Sequence, residues 1–338
     1  MATLVEHLDR RRFEPVVLGR APGPVRRALA DLDVEMVEFP QVTSKWDLRA
    51  LGSSLTAVRR LRPRIFHNMQ SHSFSGQYAL ASAILARVPQ VVVTAHMPTP
   101  AANRRQHRLG VALRRGVDLQ IVPGEWARRE LARMGQLARR TVTVPNGIDM
   151  PDFVPRAKSR EILGVARDAA VVGGLMRLEV YKRPDLVVDL ARTVPGVTVV
   201  LFGEGPELDA LAAQARENVV LTGFRADAAA LVRALDVFVH PCPTDNQPLA
   251  VLEAMASGVP VVVADRGGVS DMVDHEGNGL VAEVSSEGLA TAVKRLLEDR
   301  DLSDRLSGAA AAQIEREADP RLMARRVEAL YERGSDGT

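Results

Sequence analysis

Short runs of branched aliphatic residues alternate with helical segments along the chain, and the alternation starts afresh near the middle. In the first half, strands are predicted at 15–18, 34–39, 64–67, 91–96, 119–122 and 141–144. In the second half, they are predicted at 170–175, 197–202, 219–222, 237–240 and 259–264, with helices at 184–193, 207–216, 228–235 and 287–334. Strands that alternate with helices form parallel sheets covered by helices. The sequence therefore predicts an α/β fold with two such sheets.

The restart of the pattern suggests a boundary between two domains. A chain of 338 residues is long enough for two. The tripeptide Pro145-Asn146-Gly147 is a strong turn signal, and residues 148–156 contain two prolines and no clear periodicity. We predict an N-terminal domain over 1–147 and a C-terminal domain over 148–338, whose last helix is able to pack back on the first domain.

The composition limits the classes of protein that fit. Hydrophobic residues make up 46% and charged residues 25%, the balance of a globular protein. The single cysteine, Cys242, excludes an intrachain disulfide and a zinc site built on cysteines. Aromatic residues are only 4%, which argues against base-stacking platforms and hence against a nucleic-acid partner. No apolar run approaches the ~20 residues that span a bilayer, and the opening residues lack a signal-peptide layout. We expect a cytoplasmic protein.

The net charge of +2 hides an asymmetry between the two halves. Residues 1–150 hold 23 Lys and Arg against 12 Asp and Glu, whereas residues 151–338 hold 21 against 30. The basic excess is densest over 51–140, with 15 arginines and three acidic residues. Such a patch suits an anionic membrane surface or a phosphorylated acceptor. A plain solvated arginine-rich surface explains it equally well.

The most informative segment runs from Pro241 to Ala264. It follows a strand, forms a polar loop and enters a helix at Pro248, and Gly258 stops that helix. A strand, a loop and a helix N-terminus bind phosphate in open parallel sheets, because free backbone N–H groups point into the crevice. Asp245 and Glu253 flank this turn, eight residues apart. Carboxylates of this kind accept hydrogen bonds from ribose or sugar hydroxyls.

This Asp-x7-Glu segment resembles the E-x7-E signature of the retaining GT-B glycosyltransferases of glycosyltransferase family 4. In that family the first acid faces the donor sugar and the second holds the nucleotide ribose, which implies those roles for Asp245 and Glu253. The first acid here is Asp instead of Glu, so the sugar contact is one methylene shorter. The motif also implies that the residues between the two acids line the donor site, namely Asn246, Gln247, Pro248 and Leu249.

A second segment, from Gly173 to Asp185, is similar to the family's G-R-L-x3-K-G-x-D pattern. The resemblance implies that Arg177 and Lys182 neutralise the donor diphosphate. Fixed cations stabilise the charge that develops on a departing nucleoside diphosphate, so no metal ion and no other cofactor is expected. Arg183 stands where the family has a glycine.

Further matches extend the resemblance over nearly the whole chain from about residue 4. Gly203 and Gly205 fall in a turn like the one beneath the nucleotide, and Gly223 falls in a segment like the one that frames the base. The Gly267-Gly268 turn resembles the one that follows the signature, with Asp271 for the usual Glu. In the first half, the strand ending in His96 resembles one whose histidine contacts the reacting sugar. Gly124 stands where the family usually has a serine.

The resemblance implies a GT-B architecture, with two Rossmann-like domains facing each other across a cleft. It implies a hexosyltransferase that moves a hexose-type sugar from a UDP- or GDP-sugar to a hydroxyl, with retention at the anomeric carbon. The acceptor would be a glycan, a lipid-linked molecule or a small molecule in cell-envelope, polysaccharide or glycolipid synthesis. With the arginine-rich region, this suggests a position on the inner face of the membrane.

The opening of the chain departs from the family pattern. It starts with a predicted helix over 4–12, whereas a Rossmann-like domain starts with a strand and a glycine-rich turn. The absent strand would lie in the middle of the N-terminal sheet, and its absence would leave unpaired backbone groups there. We expect a truncated or misassigned start, or else a shortened domain with impaired activity.

Three alternatives remain open from the sequence. A sugar-nucleotide epimerase of the same architecture would lack the Asp-x7-Glu arrangement. A nicotinamide oxidoreductase would need a Gly-x-Gly-x-x-Gly turn after a first strand, and the sequence has none there. A nucleotide-sugar-binding protein without activity would bind the donor without turnover.

Overall fold

The computed structural model describes residues 1–19, 23–38 and 48–335. The chain divides into two compact units, one formed by Met1–Gly147 with Pro320–Thr338 and the other by Ile148–Asp319. The last helix therefore belongs to the first unit, although the chain passes through the second unit before reaching it. In the described ranges, no helix is long and apolar enough to cross a membrane.

The described strands of the first unit form two separate parallel sheets. One sheet pairs β1 (Val16–Leu18) with β2 (Glu35–Val37). The other has the order β3-β4-β5-β6, with strands Ile65–Gln70, Gln90–Ala95, Leu119–Val122 and Thr141–Thr143. β4 and β5 are buried along their whole length, as expected for a parallel sheet covered on both faces. The resemblance implies a single N-terminal sheet, whereas here the strands separate into two sheets, with the break between β2 and β3.

Helices cover the sheets of the first unit. In chain order they are α1 (Ala2–His7), α2 (Gly23–Asp31), α3 (Leu48–Leu61), α4 (Gln77–Leu85), α5 (Arg104–Arg114) and α6 (Glu125–Arg133). The predicted helix over 4–12 is wrong in its length. It ends at His7 because Leu8 is extended and the Asp9 N–H donates to the Glu328 carboxylate at 2.7 Å instead of to a helical carbonyl.

The second unit contains one continuous sheet of six parallel strands. Its strands are β7 (Ala170–Leu175), β8 (Val197–Phe202), β9 (Val219–Leu221), β10 (Val237–His240), β11 (Val261–Ala264) and β12 (Leu280–Ala282). They lie in the order β12-β11-β10-β7-β8-β9. The predictions for β7, β8 and β10 are confirmed to the residue, whereas β12 was not predicted.

Seven helices of the second unit are defined in the described part of the chain. They are α7 (Arg156–Leu163), α8 (Pro184–Thr193), α9 (Leu208–Gln214), α10 (Ala228–Leu231), α11 (Leu249–Ala256), α12 (Ser286–Glu298) and α13 (Arg300–Glu317). The predicted helix over 228–235 is only in part helical in the α form, since its second half is a 3-10 turn over Val232–Ala234. The chain then returns to the first unit as α14 (Pro320–Ser335).

The helix α14 completes the core of the first unit. Ala324, Val327 and Tyr331 pack with Leu4 of α1 and Val92 of β4. The burial of this apolar surface, at about 25 cal/mol per Å², is what holds the last helix in place.

Polar contacts also fasten α14 to the sheet. His67 Nδ1 lies 2.6 Å from the Tyr331 hydroxyl, and His67 Nε2 lies 2.7 Å from Thr94 Oγ1. Burial lowers the pKa of His67 to about 3, so the ring is neutral at physiological pH.

The strand order of the second unit creates a crevice at the centre of its sheet. From β7 the chain proceeds through β8 and β9 on one side, and then crosses to β10 on the other side of β7. The loops that leave the carboxyl ends of β7 and β10 therefore diverge. Ligands of open parallel sheets bind at such a switch point.

Candidate active site

Two loops meet at the switch point. After β7 the chain forms a 3-10 turn over Val180–Lys182, and after β10 it forms the polar loop that contains Asp245. Lys182 Nζ donates to Asp245 Oδ1 at 2.6 Å and to Oδ2 at 2.5 Å. These residues are 63 positions apart in sequence. The structure thus brings together a predicted diphosphate ligand and the predicted sugar ligand.

His240, the last residue of β10, joins this pair. Its Nε2 lies 2.8 Å from Asp245 Oδ2. Because an ionised carboxylate only accepts hydrogen bonds, Nε2 carries the proton and donates it. His240 is not among the site residues predicted from the sequence, although its place at a strand end directly before Pro241 is the kind of position from which functional side chains project.

Asp245 is ionised despite its burial. The residue is 4% exposed, and desolvation alone would raise its pKa. The hydrogen bond from His240 and the charge of Lys182 outweigh burial and lower the pKa of Asp245 to about 2. The cluster therefore joins an ionised carboxylate to a lysine and a histidine, and all three side chains are largely shielded from solvent.

Neighbouring groups pack around the cluster. Lys182 Nζ lies 5.3 Å from the centroid of the Tyr181 ring, a cation–π contact. Cys242 Sγ lies 3.4 Å from the Tyr181 carbonyl oxygen. His240, Cys242 and Asp245 each offer one ligand atom, all within 4.8 Å of one another, so these side chains are able to hold a metal ion. Lys182 occupies both carboxylate oxygens in this structure.

Glycines let the loops approach closely. A Cβ on Gly203 would lie 1.8 Å from the Met176 carbonyl oxygen, and a Cβ on Gly205 would lie 2.3 Å from that of Leu178. Both glycines have positive φ, and Gly203 N–H donates to Gly223 O at 3.1 Å. The predicted nucleotide turn is thus packed directly beneath the loop that carries Lys182.

The Gly267-Gly268 turn supports the other loop. Gly268 N–H donates to Asp245 O at 2.7 Å, and Val269 N–H to the same oxygen at 3.3 Å. A Cβ on Gly268 would lie 2.4 Å from Asn246 Oδ1. Only glycine permits this approach, so the turn fixes the backbone of the predicted sugar ligand.

Glu253 lies on α11, half-buried. In the described part of the chain its carboxylate has no hydrogen bond and no ion pair, and burial raises the pKa of this carboxyl group. No side chain caps α11, so the N–H groups of Leu249 and Ala250 at its start have no side-chain acceptor. Among the other predicted donor ligands, Asn246 is buried, Gln247 and Pro248 are half-buried, and Leu249 is exposed.

Arg177 does not join the cluster. Its side chain is 74% exposed and forms an ion pair with Glu179. An exposed pair of this kind contributes at most about 1 kcal/mol to stability, so it restrains the guanidinium only weakly. The diphosphate role of Arg177 remains a prediction.

His96 lies in the first unit, directly after β4. Its backbone N–H donates to Gln70 O at 3.0 Å, and the residue is half-buried. Burial lowers the pKa of His96 to about 4, so it is a neutral ring at physiological pH. Its role as a sugar contact remains a prediction.

Comparison with known proteins bears on both units. Residues 155–313 match the family model for glycosyl transferases group 1, and residues 1–151 match that for Glycosyltransferase Family 4. The chain is 30% identical over 308 residues to a GDP-mannose-dependent alpha-(1-6)-phosphatidylinositol monomannoside mannosyltransferase of Mycobacterium tuberculosis, covering 83% of this chain and 72% of that enzyme.

A second relative is matched over a shorter range. The UDP-Gal:alpha-D-GlcNAc-diphosphoundecaprenol alpha-1,3-galactosyltransferase of Escherichia coli is 28% identical over 177 residues. The match covers 47% of this chain, and the chain spans about half of that relative, 46% of its length.

Among solved structures, HepE of Anabaena in complex with UDP and glucose is similar with a TM-score of 0.84. The sequence identity is 23%, and the match covers 98% of this chain and 95% of that one. The predicted fold is thereby confirmed as an α/β fold of the GT-B type with two Rossmann-like domains.

Proposed function

Because the chain belongs to glycosyltransferase family 4, we propose that it transfers a hexose-type sugar from a UDP- or GDP-sugar to a hydroxyl acceptor, with retention of the anomeric configuration. The observation that carries this proposal is the meeting of Lys182 and Asp245 at the switch point of the second sheet. A cation and a carboxylate there suit the two parts of a sugar nucleotide, its diphosphate and its sugar hydroxyls.

The nucleotide half of the donor would lie over α11 and the glycine turn. The uncapped first turn of α11 offers backbone N–H groups to the diphosphate, where the helix dipole also favours negative charge. Glu253 has an unpaired carboxylate that suits the two hydroxyls of a ribose. Gly203, Gly205 and Gly223 would leave room for the nucleotide.

For the transfer step we propose the mechanism that the family resemblance implies. The bond between the anomeric carbon and the diphosphate oxygen breaks, and the acceptor oxygen bonds to the same face of the sugar. The acceptor proton passes to the departing diphosphate, so the protein need not supply a base. Lys182 would stabilise the charge on that leaving group, and we propose that no metal ion is required. Asp245 and the neutral His96 would orient the sugar.

The acceptor is proposed to be linked to a lipid or to a growing envelope glycan. The two relatives named above act on a phosphatidylinositol mannoside and on a diphosphoundecaprenol-linked sugar. The helix α5 exposes Arg104, Arg105, Arg108 and, just past its end, Arg115. A basic surface of this kind suits an anionic membrane, and we place the protein at the inner membrane face. Flotation that does not respond to anionic lipid would contradict this part of the proposal.

The test is a screen of UDP-, GDP- and ADP-sugars by calorimetry and mass spectrometry. We expect saturable binding of one donor, retained in EDTA, and binding at least about tenfold weaker in Glu253→Ala. Glu298→Ala, an exposed glutamate of α12, is the matched control and should bind as the wild type does. Product anomeric configuration by NMR decides retention. Binding without turnover for any acceptor would favour the inactive binding protein instead.

A further inference from the structure

The side chain of His240 has one hydrogen-bond partner among the described residues. Its Nε2 donates to Asp245 Oδ2 at 2.8 Å, whereas its buried Nδ1 has no hydrogen-bond partner there. Buried polar atoms without partners are uncommon in folded proteins. Asp245 is therefore the one described residue to which the ring of His240 is hydrogen-bonded.

Asp245 has two side-chain partners, and they differ in freedom. His240 is part of β10, which pairs with β11 through His240 and Val263 and is therefore rigid. Lys182 lies on a loop turn, and its flexible side chain is 13% exposed. Of the two, Lys182 is the one able to shift.

The proposed function demands such a shift. Lys182 directs two of its three N–H donors to Asp245, so one donor is left for the diphosphate, and any further contact with it draws the ammonium away from Asp245. The backbone of Asp245 stays fixed by Gly268 N–H. Among the described residues, His240 is then the one side-chain partner that still restrains the carboxylate of Asp245.

We infer that His240 is a positioning residue, which holds the carboxylate of Asp245 in its sugar-facing orientation while Lys182 moves to the diphosphate. This inference rests on the proposed function. It assigns to a histidine outside the Asp-x7-Glu segment a part in the sugar half of the site, while the nucleotide half depends on other groups.

The kinetic test compares His240→Leu with His240→Gln. Leucine removes the donor, whereas the glutamine amide places an N–H near the position of Nε2. We expect His240→Leu to lower kcat by about tenfold to hundredfold, the effect of a lost hydrogen bond to a charged group. The Kd for UDP or GDP, whichever the wild type binds, should stay within about threefold, and His240→Gln should recover most of kcat.

Two outcomes would overturn the inference. One is an unchanged kcat in His240→Leu. The other is an equal loss of kcat, nucleotide affinity and Tm in both variants, which indicates a structural role only. His67→Leu, which removes a half-buried histidine of the first unit, is the control for a loss of stability without a change in the site.

A thermal unfolding experiment tests the inference without any substrate. In Lys182→Met, His240 is the one remaining side-chain partner of Asp245 in the described residues. The fall in Tm caused by His240→Leu should then be larger in the Lys182→Met background than in the wild type. Equal falls would show that His240 does not support Asp245. If the wild type binds no donor, the proposed function fails. The comparison of Tm values still tests whether His240 supports Asp245, because it needs no substrate.

Discussion

Both units hold ionisable side chains on the strands of parallel sheets or directly after them, but the charge states of these side chains differ. In the second unit, Lys182 and His240 keep Asp245 ionised, with a pKa of about 2. In the first unit, burial keeps His67 and His96 neutral, with pKa values of about 3 and 4. The difference teaches that the second unit is suited to bind and stabilise charge, whereas the first supplies uncharged hydrogen-bonding groups.

The two units also differ in the continuity of their sheets. The six strands of the second unit form one continuous sheet with a switch point, and its glycine turns fix the loops that leave this point. The strands of the first unit form sheets of two and four. The loops that carry Lys182 and Asp245 leave two neighbouring strands of this continuous sheet, and sites built on such rigid elements hold their charges at fixed distances.

The largest effect is expected from Lys182→Met, which removes the cation that sets the second unit apart. A buried carboxylate that loses its ion-pair partner destabilises a fold by about 3 kcal/mol. The kcat/KM for the donor should fall by about a hundredfold or more, since a charge on the leaving group is no longer stabilised. Urea unfolding and steady-state kinetics measure the two effects. An unchanged free energy of unfolding would mean that Asp245 does not depend on Lys182.

The next effect concerns the rigidity of the second unit. Gly203→Ala would place a Cβ 1.8 Å from the Met176 carbonyl oxygen, so the loop before Lys182 has to move. We expect a loss of about 3 kcal/mol in the free energy of unfolding, together with weaker donor binding. Gly135→Ala in the first unit is the control. The φ of Gly135 is +62°, but a Cβ added there would have no other atom within 4 Å. This variant should lose about 1 kcal/mol, from backbone strain alone. Equal losses would contradict the packing argument.

The pH dependence of donor binding sharpens the contrast in charge. Burial raises the pKa of Glu253, so its carboxylate takes up a proton at a higher pH than an ordinary glutamate does. A protonated Glu253 accepts hydroxyls less well, and the Kd for the sugar nucleotide should therefore rise as pH falls through that raised pKa. Asp245 and His96 have pKa values of about 2 and 4 and should add no transition between pH 5 and 8.

Calorimetry from pH 4.5 to 8 checks this, with Glu253→Gln as the variant that should lack the acid limb. A transition near pH 6.5, the ordinary value for histidine, that disappears on substitution of His96 would show that the first unit also works through charge.

The smallest effect is expected from Arg177→Ala. The side chain is exposed and, among the described residues, paired only with nearby Glu179, so the free energy of unfolding should change by less than about 0.5 kcal/mol. Donor KM should rise about fivefold if the guanidinium turns to the diphosphate, as the family resemblance implies. Arg192→Ala, in an exposed pair with Asp189, is the control. A donor KM equal to that of the control would assign the diphosphate to Lys182 and α11 alone.

Much of the second unit could be predicted from local sequence. The strands β7, β8 and β10 and the helix α8 match their predicted bounds, because long branched runs and a proline at the helix start are unambiguous signals. The strand β12 escaped prediction because three residues after a glycine turn carry no periodicity. The 3-10 turn over Val232–Ala234 was predicted as part of an α-helix, because its residues are compatible with both kinds of helix.

The first unit was harder to predict for a physical reason. A helix over 4–12 fits the local pattern, but Asp9 bonds to Glu328, more than three hundred residues away along the chain. The separation of the strands into two sheets depends on pairing between distant segments. Neither feature produces a pattern that is visible in a segment of about ten to twenty residues, the length over which periodicity predicts secondary structure.

The sequence by itself determined the α/β alternation, the Asp245 and Glu253 pair with its helix start, and the glycines that allow close turns. These are local, since each depends on residues within one strand, loop and helix. Only the tertiary structure decided that Lys182 and His240 meet Asp245, and that Arg177 faces solvent. The reason is that the order of strands in a sheet places β7 beside β10, and this order is set by packing of the whole unit, not by the residues of either loop.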